Sequence, residues 1–231
     1  MPSLAFPAHF PGQAHVSGDV DGIFGGSPET YVRDLQWKCL TTTIMTMSGW
    51  AVNPDKQPWS YGEPYLTIAR QYLKLKSQLT PYMYSYSRVA TDSGVSPIRA
   101  MALEFPNDPF LYENSTGSAQ QFMAGEWVLV APVYTPELTR DGIYFPGGAE
   151  WFDWWSGELM TKPGATNGSS MDGYDAPLDI LPLFVRSGAI VPLWAPNNYF
   201  DEIAHDTMSL EIWPQGDSSF ELYEDDGVTR A

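Results

Sequence analysis

Two aspartates in a glycine-rich segment are the residues of this sequence best suited to bind a ligand. Asp19 and Asp21 lie in the segment 18–26 (GDVDGIFGG), which follows a possible short strand. In a (β/α)₈ barrel, functional side chains lie at the carboxyl ends of the strands. One interpretation is a sugar pocket, in which a carboxylate accepts hydroxyl hydrogen bonds and Trp50, after the next strand, forms an apolar wall. The other is that both aspartates only bind amides of their own loop.

Other kinds of site find little support in the residue pattern. Segment 18–26 matches neither G-x-G-x-x-G nor G-x-x-x-x-G-K-[ST], and its two aspartates would repel a phosphate. His9, His15 and His205 have no metal-binding spacing, and no G-x-S-x-G serine motif occurs. The acidic run 224–226 lacks the EF-hand spacing for calcium, so a solvated turn is the simpler interpretation. We therefore expect no metal site.

The charge balance and the composition exclude several classes of protein. The chain has 231 residues with 28 acidic and 12 basic side chains, a net charge of −16. Such a charge argues against nucleic-acid binding and against anionic membrane surfaces. A hydrophobic content of 43% excludes intrinsic disorder. The single cysteine, Cys39, cannot form an internal disulfide, and no apolar run approaches the ~20 residues of a membrane span.

The aromatic residues leave two interpretations open. The chain contains 9 Trp and 13 Tyr, and flat aromatic rings among scattered carboxylates suit neutral ligands such as sugars. Trp151, Trp154 and Trp155 could stack on a sugar, but their spacing in a strand implies that at least one belongs to the core. The glycosylation triplets at Asn114 and Asn167 do not settle the compartment.

The first part of the chain has the alternating pattern of an α/β unit. Ser27 as N-cap and Pro28 as first helical residue predict a helix, and the β-branched run Thr41–Met47 predicts a buried strand. Two further helices are predicted from Pro64 to about Leu79 and from Thr80 to about Asp92, ending at Gly94. The predicted buried stripe of the first of these consists of Tyr65, Ile68, Ala69, Tyr72 and Leu73.

The second part of the chain favours β-structure. From Ser96 onward there is no helical stripe, and short apolar segments alternate with Gly, Pro and Asp turns, which is typical of an antiparallel β-sandwich. We therefore divide the chain into residues 1–95 and residues 96–231. The segments predicted as strands include IRAMALEF, EWVLVAPVY, GIYFPGG, EWFDWWSG, LPLFVRSGAIVPL, SLEIWP and FELYEDDG.

Several of these segments together resemble glycoside hydrolase family 31, which includes α-glucosidases, α-xylosidases and α-transglycosylases. The segment 19–26 (DVDGIFGG) is similar to the family's D-[IV]-G-G-F-x-G motif at the end of a late barrel strand, and 27–37 to the helix that follows it. Segment 71–108 resembles the family's post-barrel helices, and the stretches around 121–134, 150–157, 181–193 and 221–227 its β-sandwich. The resemblance implies the C-terminal part of a (β/α)₈ barrel followed by an antiparallel β-sandwich.

The resemblance also implies a reaction and its participants. Retaining hydrolysis of an α-linked sugar uses a nucleophile and an acid/base carboxyl group ~5 Å apart, and it needs no cofactor. In the family both groups are aspartates in motifs upstream of D-[IV]-G-G-F, and neither motif occurs here. Ser17-Gly18-Asp19 only mimics the acid/base motif, so no catalytic residue is expected in this chain. By the resemblance, Asp19, Asp21 and Phe24 belong instead to the wall of the sugar pocket.

Two departures from the family pattern point towards its transferring branch. Most α-glucosidases of the family end the last barrel strand with an Arg and a His, whereas this chain has Met-Thr-Met-Ser-Gly-Trp at 45–50. One glycine of the family motif is also replaced, by Asp21. Both changes resemble the cycloalternan-forming and isomaltosyl-transferring enzymes. In such an enzyme Trp50 and Trp59 would bind the acceptor sugar.

A barrel needs eight strand–helix units, and this chain supplies about two. We therefore expect the chain alone to be inactive, with an oligosaccharide or polysaccharide as substrate once the missing N-terminal barrel region is present. An alternative is a non-catalytic carbohydrate-binding β-sandwich, and another is a module that only braces a barrel supplied by another chain. The acidic charge and the polysaccharide chemistry favour secretion without deciding the compartment.

Overall fold

The computed structural model describes the following residues: 14–16, 18–23, 25–48, 55–113, 120–202 and 206–229. Within them, three long helices precede a region of eleven short strands, which agrees with the change of sequence pattern near Ser96. No helix in this part of the chain is both long enough and apolar enough to cross a bilayer.

The three predicted helices are confirmed, and their ends follow the predicted signals. Helix α1 spans Pro28–Lys38, and the Ser27 hydroxyl accepts a hydrogen bond from the Thr30 amide at 3.3 Å. Helix α2 spans Tyr65–Gln78 and helix α3 spans Thr80–Ser93. Helix α3 ends at Gly94, which has a φ of 78°, a left-handed conformation that glycine adopts without steric cost.

The buried face of α2 is rotated slightly from its prediction. Ile68, Ala69 and Tyr72 are buried as expected, but Leu73 is 37% exposed and Leu75 is buried in its place. The cause is geometric, because residues 68, 72 and 75 follow the i, i+4, i+7 spacing of a single helical stripe and residue 73 lies about 100° away from residue 72.

The β-rich region is built from short strands and two short helices. Four-residue helices α4 and α5 span Met101–Glu104 and Phe110–Glu113, and 3₁₀ turns span Pro58–Tyr61 and Phe200–Glu202. The strands are β1 Ile98–Ala100, β2 Phe122–Ala124, β3 Val128–Val130, β4 Thr139–Arg140, β5 Ile143–Phe145, β6 Trp151–Asp153, β7 Ser169–Met171, β8 Tyr174–Asp175, β9 Leu183–Arg186, β10 Ile190–Trp194 and β11 Met208–Ile212.

The main sheet has five strands in the order β1-β2-β3-β9-β6, and every pairing in it is antiparallel. Three further pairs, β10–β11, β4–β8 and β5–β7, are also antiparallel. This arrangement confirms the predicted antiparallel character of the second part of the chain.

Both faces of the main sheet are buried. In β9, Leu183 and Val185 face a core shared with helices α1 to α3, whereas Phe184 faces a second core that contains Phe145 and Trp151. Strands β2 and β3 alternate between the same two cores in the same way. Because neither face meets water, these strands have continuous apolar sequences instead of the alternation typical of a half-exposed sheet.

Polar side chains of α1 and α2 bind the loop 176–181, which leads into β9. The Arg33 guanidinium donates to the carbonyl groups of Ala176, Pro177 and Ile180 at 2.6, 3.2 and 2.9 Å. The Tyr72 hydroxyl donates to the Asp179 carbonyl at 2.9 Å and accepts from the Leu181 amide at 2.7 Å. These bonds fix the helices against the β-rich region.

Replacing Tyr72 by phenylalanine is expected to lower the free energy of unfolding by about 2 kcal/mol, because the buried Leu181 amide then loses its acceptor. Urea denaturation followed by circular dichroism measures the loss. Tyr65→Phe is the matched control, since the Tyr65 hydroxyl bonds to Glu29 at the surface. Equal losses in the two variants would contradict the assignment.

Two predicted strands are wrong in extent. In the segment 41–47 only Met45 forms a bridge, to Asp19, and Met45 is 57% exposed. Among the described residues, the Asp19–Met45 bridge is the one β-bridge of this segment, and a single bridge does not make a ladder. The predicted strand IRAMALEF ends at Ala100, and the chain then turns into α4, where the Phe105 amide donates to the Met101 carbonyl at 2.9 Å.

The predicted strand at 220–226 (FELYEDD) is also wrong, since no residue of this segment belongs to a strand in the structure. The Tyr223 amide donates to the Ser85 hydroxyl on α3 at 3.0 Å, and the Asp226 carboxylate accepts from the amides of Val228 and Thr229. Side-chain hydrogen bonds therefore occupy backbone groups that a ladder would use.

Candidate functional site

Asp19 lies at the carboxyl end of a short parallel pairing. Asp19 and Met45 form a parallel bridge, and the Val20 amide donates to the Met45 carbonyl at 2.8 Å. Helix α1 connects the two segments, as in a βαβ unit. The Asp19 side chain is half-buried, and no residue that the structure describes forms a hydrogen bond with its carboxylate. Asp19 is therefore partly buried, and its carboxylate accepts no hydrogen bond from the protein groups that the structure describes.

The Asp21 carboxylate is used by its own loop. Asp21 has a φ of 59°, and its carboxylate accepts a hydrogen bond from the Gly26 amide. Its own amide donates to the Asp34 carboxylate at 2.6 Å. Burial raises the pKa of Asp21 and the nearby Asp34 charge adds to this, while the Gly26 hydrogen bond opposes the shift. The two aspartates thus differ, because Asp21 has the geometry of a loop-stabilising residue.

Two buried lysines hold the backbone of this loop, and neither is among the site residues predicted from the sequence. The Lys38 ammonium donates to the Asp19 carbonyl at 2.6 Å and pairs with Asp34 at 2.5 Å. The Lys56 side chain is fully buried, and its ammonium donates to the carbonyls of Val20 and Gly22. The i, i+4 spacing of Asp34 and Lys38 on α1 was an available signal for the first lysine. No local pattern distinguishes Lys56.

An aromatic segment lies beside the loop. Trp59 belongs to the 3₁₀ turn Pro58–Tyr61 and is 70% exposed. The Tyr61 ring packs on Tyr31 of α1 with ring centroids 4.6 Å apart. Burial raises the pKa of Tyr61, and the Asp21 charge adds a smaller increase. Tyr61 therefore ties this turn to the Asp21 loop, and Trp59 presents an open indole ring two residues away.

The remaining site predictions concern Phe24, Trp50 and a possible metal site. Phe24 and Trp50 lie outside the described residues, so the structure does not test their roles. No group of three or more metal-ligating side chains occurs among the described residues. Asp225 accepts hydrogen bonds from the hydroxyls of Tyr84 and Tyr223 at 2.7 and 2.8 Å, which is a protein-internal use of a carboxylate that the sequence offered to calcium.

Of the three tryptophans that could stack on a sugar, Trp151 is a core residue and the other two are partly buried. Trp151 is fully buried, and its indole donates to the Pro146 carbonyl at 3.0 Å. Trp155 packs edge-on against Tyr72, and Trp154 lies 5.5 Å from the Trp213 ring. The prediction that at least one of these side chains belongs to the core is confirmed by Trp151, which cannot stack on a sugar.

Comparison with known proteins identifies two family domains in the same order as the sequence motifs. Residues 4–86 match the TIM-barrel domain of glycosyl hydrolases family 31, and residues 94–191 match the C-terminal domain of the same family. Among curated proteins, the α-xylosidase of Saccharolobus solfataricus is 33% identical over 91% of this chain and 28% of its own length. The isomaltosyltransferase of Sporosarcina globispora is 29% identical over 95% of this chain and 21% of its own length.

Solved structures agree with these matches. A Flavobacterium johnsoniae family 31 dextranase, determined with isomaltotriose, has a TM-score of 0.76 and 33% identity over 90% of this chain and 25% of its own. The cycloalternan-forming enzyme of Listeria monocytogenes, determined with a pentasaccharide, has a TM-score of 0.75 and 28% identity over 90% of this chain and 20% of its own.

These relatives are glycoside hydrolases and transglucosylases, and the chain spans only about a quarter of the length of the α-xylosidase or the dextranase. The matched domains are the barrel and the domain that follows it, which agrees with the helices and antiparallel sheets of the structure. The chain therefore belongs to glycoside hydrolase family 31, of which it represents a C-terminal part.

Proposed function

We propose that this chain is part of a retaining α-glycosidase or α-transglycosylase acting on α-linked glucosides, and that the Asp19 loop forms one wall of its sugar pocket. The observation that carries the proposal is the half-buried Asp19 carboxylate at the carboxyl end of a parallel pairing, with no described protein group bound to it. This is where barrel enzymes hold their substrates. A carboxylate there accepts hydrogen bonds from two sugar hydroxyls.

The proposed architecture assigns residues 1–95 to the last units of a (β/α)₈ barrel and residues 96–231 to a proximal β-sandwich. The two family matches, which end at 86 and begin at 94, support a boundary in this region. The packing of β5 against the far face of the main sheet, with the rings of Phe145 and Phe184 4.9 Å apart, supports a second β-layer.

In this proposal the chain supplies substrate contacts and not the reacting groups. Asp19, Asp21 and Phe24 line the pocket, with Asp21 acting through the loop it stabilises, and Trp50 and Trp59 bind the acceptor sugar. The nucleophile and acid/base aspartates belong to a barrel region outside this sequence, because neither of their motifs occurs in it. Carboxylates and water suffice for this chemistry, and no cofactor is part of the proposal.

We further propose that the enzyme favours transfer over hydrolysis. The Met-Thr-Met-Ser-Gly-Trp sequence at 45–50 and the exposed Trp59 support this, as does the similarity to the isomaltosyltransferase. An aromatic acceptor site binds a second sugar next to the reacting glycosyl group, so that a sugar hydroxyl is present there more often than water. Free glucose as the sole product from maltooligosaccharides would contradict transfer.

The purified chain alone is expected to release no p-nitrophenol from p-nitrophenyl α-glucoside, since the two reacting carboxylates are missing. Fusing the chain behind the upstream barrel region of the Flavobacterium johnsoniae dextranase is expected to give an active enzyme. The same upstream region without this chain is the control. Release by the chain alone that Asp19→Asn abolishes would overturn the proposal, as would a folded but inactive fusion.

A further inference from the structure

A second cleft lies at the end of the parallel pairing opposite to Asp19. It has a volume of about 460 Å³ and is bordered by residues at the start of the segment 41–47, by α2, α3 and the C-terminal segment. Thr41 and Thr42 line it, and the Thr42 hydroxyl donates to the Ala14 carbonyl, at the amino end of the pairing. Its volume lies within the ~300–1,000 Å³ typical of small-ligand sites.

One wall of the cleft is aromatic. The rings of Tyr84 and Tyr223 lie 5.5 Å apart, and Tyr84 is 43% exposed. Both hydroxyls donate to the same oxygen of the Asp225 carboxylate, at 2.7 and 2.8 Å. The Arg88 guanidinium lies over the Tyr223 ring at 5.2 Å. Two flat rings, a carboxylate and a guanidinium thus lie together on this wall, and the guanidinium also pairs with Asp92 at 2.8 Å.

The opposite wall provides a hydrogen-bond donor. Lys76 is a lining residue, and its ammonium donates to the Thr41 carbonyl at 2.6 Å. Among the described residues Thr41 is its one hydrogen-bond acceptor, and an ammonium has three protons to donate. The cleft therefore offers the Lys76 ammonium as a donor. It also offers the Asp225 carboxylate, which accepts from the two tyrosine hydroxyls and the Gly227 amide and keeps about one of its four acceptor sites for a ligand.

The mixed charge selects the class of ligand. An anion would be attracted by Lys76 and Arg88 but repelled by Asp225, and for a cation the signs are reversed, so the lining favours neither charge. A neutral molecule with many hydroxyl groups avoids both penalties, because each hydroxyl can donate to the carboxylate or accept from the ammonium. Its apolar C–H face can pack on the exposed Tyr84 ring.

We propose that this cleft is a second, non-catalytic site for a neutral oligosaccharide of α-linked glucose. Only the choice of an α-glucan rests on the proposed function; the cleft itself is separate from the Asp19 pocket. Such a site would hold a long substrate chain on the enzyme while the pocket processes one of its ends.

Isothermal titration calorimetry of the full chain with isomaltotriose tests the proposal. The expected result is binding that Tyr84→Ala and Asp225→Asn each weaken by about tenfold or more, through loss of the ring contact and of a charge-assisted acceptor. Tyr199→Ala is the matched control, because Tyr199 is an exposed aromatic residue that lines neither this cleft nor the Asp19 pocket, and it should leave the affinity unchanged. Circular dichroism verifies the fold, and Asp225→Asn keeps the side-chain shape if Tyr84→Ala does not fold.

Three results would overturn the second site. The first is no heat of binding from the folded wild-type chain. The second is binding lost in Trp59→Ala but kept in Tyr84→Ala and Asp225→Asn, which would assign it to the Asp19 pocket. The third is competition by inorganic phosphate, which would identify an anion site. None of these results bears on the activity of the fused enzyme, so the two proposals fail separately.

Discussion

Replacing Asp19 by alanine in the fused, active enzyme is expected to lower kcat/KM by about 100-fold or more. The side chain is proposed to accept two hydroxyl hydrogen bonds of the sugar, and a hydrogen bond to a charged group contributes about 1.5–3 kcal/mol. Each 1.4 kcal/mol corresponds to about a factor of ten. Steady-state kinetics with p-nitrophenyl α-glucoside measures the change.

Asp21→Gly is the matched control for Asp19. Residue 21 has a φ of 59°, which glycine adopts freely, so the loop backbone is preserved while the carboxylate is removed. We expect this variant to lose some stability, through the Gly26 hydrogen bond, but to keep kcat/KM within about fivefold. Equal losses of kcat/KM in both variants would mean that the two carboxylates share one role, and the distinction between a pocket residue and a loop-stabilising residue would be wrong.

Replacing Gly125 by alanine is expected to lower the free energy of unfolding by about 4 kcal/mol. Gly125 lies in the turn between β2 and β3 with a φ of 64°, where an L side chain costs about 1–2 kcal/mol. A methyl group there would also overlap the Tyr86 ring and the Tyr82 hydroxyl. Overpacking of this kind costs about 1–3 kcal/mol more.

The Tyr82 hydroxyl cannot move away from residue 125 without cost, because it donates to the Ala124 carbonyl at 2.8 Å and is buried. Gly164→Ala is the control, since Gly164 has a φ of 68° but nothing within 4 Å of an added methyl group. Urea denaturation of both variants separates the backbone cost from the packing cost. A loss in Gly125→Ala no larger than in Gly164→Ala would show that the tyrosines relax freely.

At the candidate site, local sequence patterns predict which residues are involved but not the role of each one. The sequence predicts both aspartates from a glycine-rich segment after a possible strand at 13–17, and nothing in the local sequence separates their roles. That strand prediction is wrong for residues 14–16, which form no strand in the structure. The structure distinguishes the two roles. Asp21 forms hydrogen bonds with Asp34 and Gly26, whereas the Asp19 carboxylate has no hydrogen-bond partner among the described residues. Lys56 was missed because its contacts with Val20 and Gly22 join residues more than 30 positions apart.

The sequence by itself determined the three helices and the antiparallel character of the second part. Caps such as Ser27 and Gly94 and the helical spacing on α1 depend on interactions within a few residues, so they can be recognised from the sequence alone. The family motifs likewise identified glycoside hydrolase family 31, whose barrel and C-terminal domains match the chain in the same order.

The tertiary structure alone decided which segments meet. Strand β3 pairs with β9, more than 50 residues later, and Arg33 and Tyr72 on the helices bind the loop that leads into β9. It also decided that Trp151 is core, that residues 220–226 form no strand and that Tyr84 and Tyr223 border a cleft. The physical reason is that burial and hydrogen bonding depend on partners distant in sequence, whereas caps and helical periodicity depend on near neighbours.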